Sequence, residues 1–263
     1  MKLPANRRHA GRSALIGARG LLASLALGLC GSPLPAQGAT QTAALPAAMR
    51  QAGTLFARDV AGWVGHLEEA DTRIKAPLVD RTAQTRTWVI SRDGDPQRAI
   101  VLSYRREGRN DEGERAKLEK QVNEGYRSRE RQLQAPFDLR HMDDYEFQEA
   151  SCPGSEAGER CVGFRSRLRD ARHGDGTLLL NREGRVRLVS YAPSQLPAQA
   201  GQGSVRIVRG PAGPGWWGRQ RLEIRFEGGL GPLAGSFQLS QRVSAHRRFG
   251  SLGEAIAGAP AGP

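Results

Sequence analysis

Lysine is almost missing from this sequence. Lys2, Lys75, Lys117 and Lys120 are the whole supply in 263 residues, and arginine carries the rest of the positive charge. Cysteine occurs three times and aromatic residues make up 6 %. The local motifs that mark common enzymes are also missing. There is no G-x-S-x-G nucleophile elbow, no H-E-x-x-H zinc helix, no phosphate-cradling loop and no dinucleotide glycine fingerprint following a strand. A thiol–disulfide exchange enzyme would carry C-x-x-C, which is absent as well. No residue is therefore assigned a catalytic, cofactor-binding or metal-binding role, and no cofactor is expected.

The chain also lacks an apolar run long enough to span a bilayer, which takes ~20 residues as a helix. The longest candidate is "GLLASLALGLC", residues 20–30. It follows a basic, acid-free leader containing Lys2, Arg7, Arg8, Arg12 and Arg19, and it precedes the small residues Ala36 and Gly38. That order is the one a secretory signal has, here over residues 1–38 with a cut after Gly38 or, alternatively, after Ala36. Cys30 raises lipoprotein processing as an alternative, but Leu29 is large where that processing wants a small residue. Periplasmic export is the expectation, with no membrane-spanning segment left after cleavage. Export removes nucleic acid from the partners, and cleavage takes away five of the charges behind the formal +12. The remaining excess of arginine fits an anionic partner or a genomic habit of composition equally well.

What remains is enough chain for one good core or two small ones. Residues 39–43 read as a flexible leader, 44–249 as one domain and 250–263 as a frayed tail. In an oxidising compartment Cys152 and Cys161 are expected to pair.

Apolar residues at Met49, Phe56, Val60, Trp63, Val64, Leu67 and Ile74 recur near helical spacing, so one amphipathic helix is predicted over 45–74, with Gly53 a point of interruption and Pro77 its end. "TRTWVIS" (85–91) and "RAIVLSY" (98–104) flank an Asp-Gly turn and read as a hairpin. A second helix is predicted between Asp111 and Leu133, with Leu118, Val122 and Tyr126 as its stripe. Seven strands follow, at 144–150, 161–169, 176–181, 185–191, 204–209, 221–226 and 236–247. Two alternate strictly: Leu222, Ile224 and Phe226 oppose Arg221, Glu223 and Arg225, and Val162, Phe164 and Leu168 oppose Arg165, Arg167 and Arg169. Strands with one dry and one wet face belong to antiparallel sheets. The expected class is α+β: a curved, mostly antiparallel sheet, or an unclosed barrel, packed against two long helices.

Three features bear on function. The segment "GPAGPGWWG" (210–218) sets Trp216 and Trp217 in a turn-rich stretch, where they serve either as a ligand lip or as a core cap. The arginines Arg165, Arg167, Arg169, Arg187, Arg206, Arg221, Arg225 and Arg242 fall on the polar faces of their strands, where guanidinium groups could meet phosphate or carboxylate head groups or simply keep the sheet soluble. "LRHMDDYE" and "RHGDGT" bring His141, Asp143, Asp144, His173 and Asp175, residue types zinc accepts but neither cluster a three-ligand set on its own.

The layout of an exported chain with a long first helix, one further helix and a run of amphipathic strands, carried by stretches such as "GTLLLNREGRVRLVSY" and "GSFQLSQRVSAHRRF", resembles the LolA/LolB-like and RseB-like periplasmic lipoprotein carriers over about residues 45–247. The resemblance is one of layout and shares no diagnostic motif. It implies an unclosed barrel, covered by helices, that holds acyl chains or senses envelope lipids and lipoproteins. The leading expectation is a non-enzymatic periplasmic carrier of a lipid, acyl chain or hydrophobic peptide, with Trp63, Trp216 and Trp217 near its rim and Arg165, Arg167 and Arg225 for head groups. A protein–protein interaction or structural role in the envelope is the second, and a metal-dependent or histidine-based hydrolase at His141 and His173 the third.

Overall fold

The computed structural model describes residues 44–128, 134–196, 200–228 and 234–262. The expected signal, the Cys30 alternative and the 39–43 leader lie outside them. The chain opens with α1 (Ala44–Val60), then runs through β1 (Trp63–Ala76), β2 (Val79–Arg92), β3 (Asp95–Arg106) and the two-residue β4 (Arg109–Asn110) into α2 (Glu112–Ser128). A 3-10 turn at Met142–Asp144 leads into β5 (Tyr145–Glu149), β6 (Arg160–Ser166), β7 (Gly174–Leu180), β8 (Val186–Pro193), β9 (Ala200–Gly213), β10 (Trp216–Gly228) and β11 (Gly235–Phe249), and α3 (Leu252–Ala257) follows.

All eleven strands form one sheet in the order β4-β3-β2-β1-β11-β10-β9-β8-β7-β6-β5, and each neighbouring pair is antiparallel. The sheet does not close, since β4 and β5 are its two edges. This is the α+β class expected, an unclosed antiparallel sheet with helices against it. Cys152 and Cys161 form a disulfide across the loop between β5 and β6. Closing so short a loop contributes roughly 2–3 kcal/mol on a chain-entropy account.

The predicted helix over 45–74 is corrected. Its first half is α1, which passes through Gly53 without a break; the glycine serves close packing, since a Cβ there would lie 2.5 Å from Leu139. Ala61 and Gly62 then turn the chain, and everything from Trp63 is strand. The reason is burial on both faces. Val64, Glu68 and Ala70 face one side of β1, while Trp63 and Leu67 face the other and pack with Trp88 and Ile90 of β2. A strand dry on both faces loses its period of two, and its apolar residues then mimic a helical stripe. Gly65 permits this packing, since any Cβ would sit 2.4 Å from the Trp88 ring.

The expected frayed tail is also corrected. Ser251 Oγ accepts the N–H of Glu254, and the Glu254 carboxylate accepts the N–H of Gly250, a reciprocal cap that starts α3. Its Ala255 is wholly buried, and its carbonyl accepts the indole N–H of Trp88 at 2.9 Å. The sheet thus has an inner face under α1 and an outer face that α3 covers over β1 and β2.

Truncating Trp88 to Ala should cost about 3–5 kcal/mol, and Ser251→Ala about 1 kcal/mol through loss of the cap. Urea unfolding checks both. A Trp88→Ala protein of unchanged midpoint would contradict the docking of α3.

Candidate functional site

The inner face divides into three zones. In the first, α1 lays Leu45, Met49 and Ala52 on Val162, Phe164, Leu178, Leu180, Val186 and Val189, with Phe137 and Tyr145 completing the core over β5 to β8. The far end of α1 is tied by charge. Asp59 and Arg185 make a buried pair through both carboxylate oxygens, at 2.5 and 2.7 Å. Arg248 donates to the carbonyls of Arg58 and Asp59, placing a cation on the C-terminal end of the helix dipole. The Arg209 guanidinium lies over Phe56 at 4.8 Å and Phe137 at 5.6 Å, and burial lowers its pKa to about 10.

This is where the paired tryptophans belong. Pro214 and Gly215, the latter at φ +76, turn β9 into β10 and deliver both indoles beneath α1. Trp217 stacks under Arg185 and lines, with Leu55, Phe56 and Asp59, a void of only about 10 Å³. Trp216 meets His246 edge-on and carries Arg248 over its ring at 4.9 Å. Both are half-buried helix supports. Trp63 stands on the opposite face with Trp88 and Phe249, so the structure does not bring the three tryptophans to one rim.

The second zone is a polar cluster on β1, β10 and β11. Glu68 accepts from Arg219, from Gln241 Nε2 and from His66 Nε2 at 3.0 Å. A carboxylate only accepts, so His66 carries its proton on Nε2. His66 stacks on His246 with centroids 5.5 Å apart, an approach made by a bulge at Ala245, φ +51. Burial would raise the Glu68 carboxyl, but Arg219, His66 and Gln241 together hold it at about 2. Burial, helped by the charges of His66, Arg219 and Arg209, pulls His246 down to about 4, against a hydrogen bond to the Arg219 backbone that raises it. Burial also pushes the Tyr126 phenol of α2 up, and the charge of Glu68 adds to the effect. Sequence reasoning missed this cluster, because only the register of three strands assembles it. Nothing local marked it, because Glu68 stands beside Glu69 in a stretch where His66, Asp71 and Arg73 are polar as well.

The third zone is apolar and incompletely covered. Ile74, Phe237 and Phe226 are register partners across β1, β11 and β10, and Thr72, Leu239 and Ile224 form the next row. The Phe226 and Phe237 rings stack at 6.1 Å, and Gly203 on β9 leaves room for the former. All five large apolar side chains in these two rows are only half-buried. At the same end of the sheet, on the hairpin between β1 and β2, Leu78 is 97 % exposed.

The outer face carries a cleft of about 550 Å³ lined by Asp71, Arg73, Gln84, Arg105, Glu223 and Arg225. Its charges alternate in sign, which favours no ligand of one charge. Arg165 stands exposed on β6 and Arg167 just past its end, the latter 3.5 Å from Glu146. Arg225 lies four strand spacings away, about 19 Å, so these three do not share one head-group site. His173 is fully buried. Its Nδ1–H donates to Asp170 at 2.7 Å, while Asp144 lies 3.6 Å from Nε2 and 3.9 Å from His141 Nδ1. Asp175 accepts from Ser166 N and Arg169 instead. A wholly buried imidazole cannot meet a substrate. Among the described residues no group of three or more His, Cys, Asp or Glu is arranged to hold a metal ion, and no helix is long and apolar enough to cross a membrane.

No protein-family model matches the chain, and no curated protein does. Three solved structures are similar to it in layout, at low identity. A Vibrio parahaemolyticus domain named for outer membrane lipoprotein sorting is 11 % identical, with 76 % of this chain and 91 % of that one covered and a TM-score of 0.35. MucB in complex with MucA(peri) is 9 % identical over 80 % of this chain and 95 % of that one, TM-score 0.22. The Pseudomonas aeruginosa MucA/MucB complex gives 12 %, 80 %, 96 % and 0.22.

Removing one partner of the buried pair with Asp59→Ala should cost about 3–5 kcal/mol and loosen α1, read as faster amide exchange over Ala44–Val60; unchanged exchange there would contradict this role. The polar cluster sets the acid limb of stability. Below pH 6.5 the unfolded chain protonates His246 while the folded chain resists to about pH 4. The same holds for Glu68 between 4.5 and about 2. Stability therefore falls in two overlapping steps on acidification. His246→Gln should flatten the upper step and Glu68→Gln the lower one, in urea midpoints measured from pH 7 to 3.

Proposed function

We propose that this chain is a non-enzymatic binding protein of a Gram-negative-type periplasm that holds the acyl chain of a lipid against the third zone of its inner face. The observation that carries this reading is the pair of half-buried apolar rows, Ile74–Phe237–Phe226 and Leu239–Ile224, which no described helix covers. An acyl chain laid on them would leave water at ~0.8 kcal/mol for each buried CH₂. The surface is flat in hydrogen-bonding demand, because the main chain of β1, β10 and β11 is already paired on both sides. That suits a ligand with no polar groups of its own. Leu78, at the same end, would touch the apolar surface from which such a chain is taken. The basic, acid-free leader supports export, and the disulfide suits an oxidising compartment.

Native mass spectrometry of protein purified from the periplasm without detergent, followed by solvent extraction, tests the reading. A stoichiometric lipid adduct is expected in the wild type and at least a tenfold lower occupancy in Phe226→Asp/Phe237→Asp. Leu78→Asp should slow uptake from vesicles without lowering final occupancy. A bare mass that also fails to take up added phospholipid would overturn it.

A further inference from the structure

A second surface, independent of the apolar rows, lies along the outer edge of β3. The two-residue β4 pairs only with Arg105 and Arg106, so among the described residues the stretch from Ala99 to Val101 has no strand beside it on that edge. Its main chain is nonetheless fully bonded. Asn123 Oδ1 accepts the Ala99 N–H at 2.8 Å, and Asn123 Nδ2 donates to the Ala99 carbonyl at 2.9 Å. The Glu119 carboxylate accepts the Val101 N–H at 2.9 Å, and Arg115 Nη1 donates to the Val101 carbonyl at 2.8 Å. Each outward donor of these two residues has an acceptor, and each outward carbonyl a donor. A neighbouring β-strand would supply the same complement.

The helix can imitate a strand because the two repeats nearly coincide. Residues 115, 119 and 123 fall on one stripe of α2 at four-residue steps, about 6 Å apart. Alternate residues of a strand repeat at about 6.7 Å. One side of α2 thus presents amide, carboxylate and guanidinium groups in place of peptide groups. The opposite edge of the sheet, β5, has no such helix bonded along it among the described residues. Leu118, Val122 and Tyr126 add apolar contact, each half-buried, and the Tyr126 phenol reaches in beside Glu68. The two Asn123 bonds are worth a net ~0.5–1.5 kcal/mol each, much as backbone-to-backbone bonds are, and the Glu119 and Arg115 bonds, being made by charged groups, ~1.5–3 kcal/mol each. A true strand would replace all four bonds with main-chain ones, and the side chains of the incoming segment must make up what α2 gives up.

We propose that the Ala99–Val101 edge of β3 is a strand-addition site for an extended segment of a partner protein, and that α2 occupies it as a displaceable surrogate strand. The proposal goes beyond lipid holding and stands or falls without it. Main-chain pairing supplies the affinity, as in other β-augmentation complexes, and the alternate side chains of the segment supply selectivity.

The test uses the full chain and the Glu119→Ala/Asn123→Ala variant, with a fluorescein-labelled peptide TRTWVISR as the probe. This is the sequence of residues 85–92, which pairs with β3 along its other edge. Control peptides carry N-methyl groups at alternate residues, in both phases, and cannot form a ladder on their methylated side. Fluorescence anisotropy should show at least tenfold tighter binding to the variant than to the wild type, with the control methylated on the side that faces β3 weakened at least tenfold and the other control unchanged. Equal affinity for the two controls, equal affinity of the two proteins, or a variant that dimerises without taking up peptide would each overturn the proposal. Should the variant not fold, amide exchange of the wild type decides. Added peptide should slow exchange at Ala99 and Val101 and speed it within Glu112–Ser128, and no change at either place refutes the site.

Discussion

An unclosed sheet of eleven strands has to cover one whole apolar face with whatever helix the chain can spare, and the rest of this structure depends on that shortage. α1 spans seventeen residues, about 25 Å at 1.5 Å per residue. Eleven strands at ~4.8 Å spacing extend over roughly twice that width. The helix therefore serves one half of the sheet, from β5 to β10, and builds the main core there. The β1–β3 half finds cover by other means. α3 packs on its outer face, α2 lies along its edge, and the middle of its inner face is filled with charge.

That charge is arranged so that few buried ions stand alone. Asp59 faces Arg185, and Glu68 faces Arg219 with His66 and Gln241 completing its shell. Such pairs contribute little net stability compared with apolar residues of the same volume, but breaking one is costly. Their value here is positional. The first pair fixes where α1 stops, and the second marks where the covered part of the inner face ends. Beyond it, Ile224, Phe226, Phe237 and Leu239 are left half-wet, and the functional reading rests on that remainder.

Much of this plan was legible in the sequence. The β2–β3 hairpin, α2 and all seven later strands follow from alternation and turn residues, and so does the pairing of Cys152 with Cys161. β1 was not legible, because α3 dries its outer face and erases its alternation. The signal for α3 was present in the Ser251-x-x-Glu254 cap but lay in a segment otherwise rich in Gly, Ala and Pro. Trp216 and Trp217 could be read as lip or cap. Their contacts with Arg248, His246 and Arg185 make them supports for α1, a relation that depends on residues 30 or more positions away. The Glu68 cluster and the bonding of α2 to β3 were invisible for the same reason, since register and edge exposure belong to the assembled sheet.

The account claims above all that the incompletely covered rows on β1, β10 and β11, and not the space beneath α1, receive the ligand. Radical footprinting with mass spectrometric readout, on protein stripped of lipid and then reloaded with the periplasmic lipid extract, addresses this directly. The account predicts that Phe226 and Phe237 are modified when stripped and protected when loaded, while Phe56 and Trp217 keep the same modification in both states. Protection at Phe56 and Trp217 in place of Phe226 and Phe237 would show that the ligand enters by lifting α1, and would contradict it.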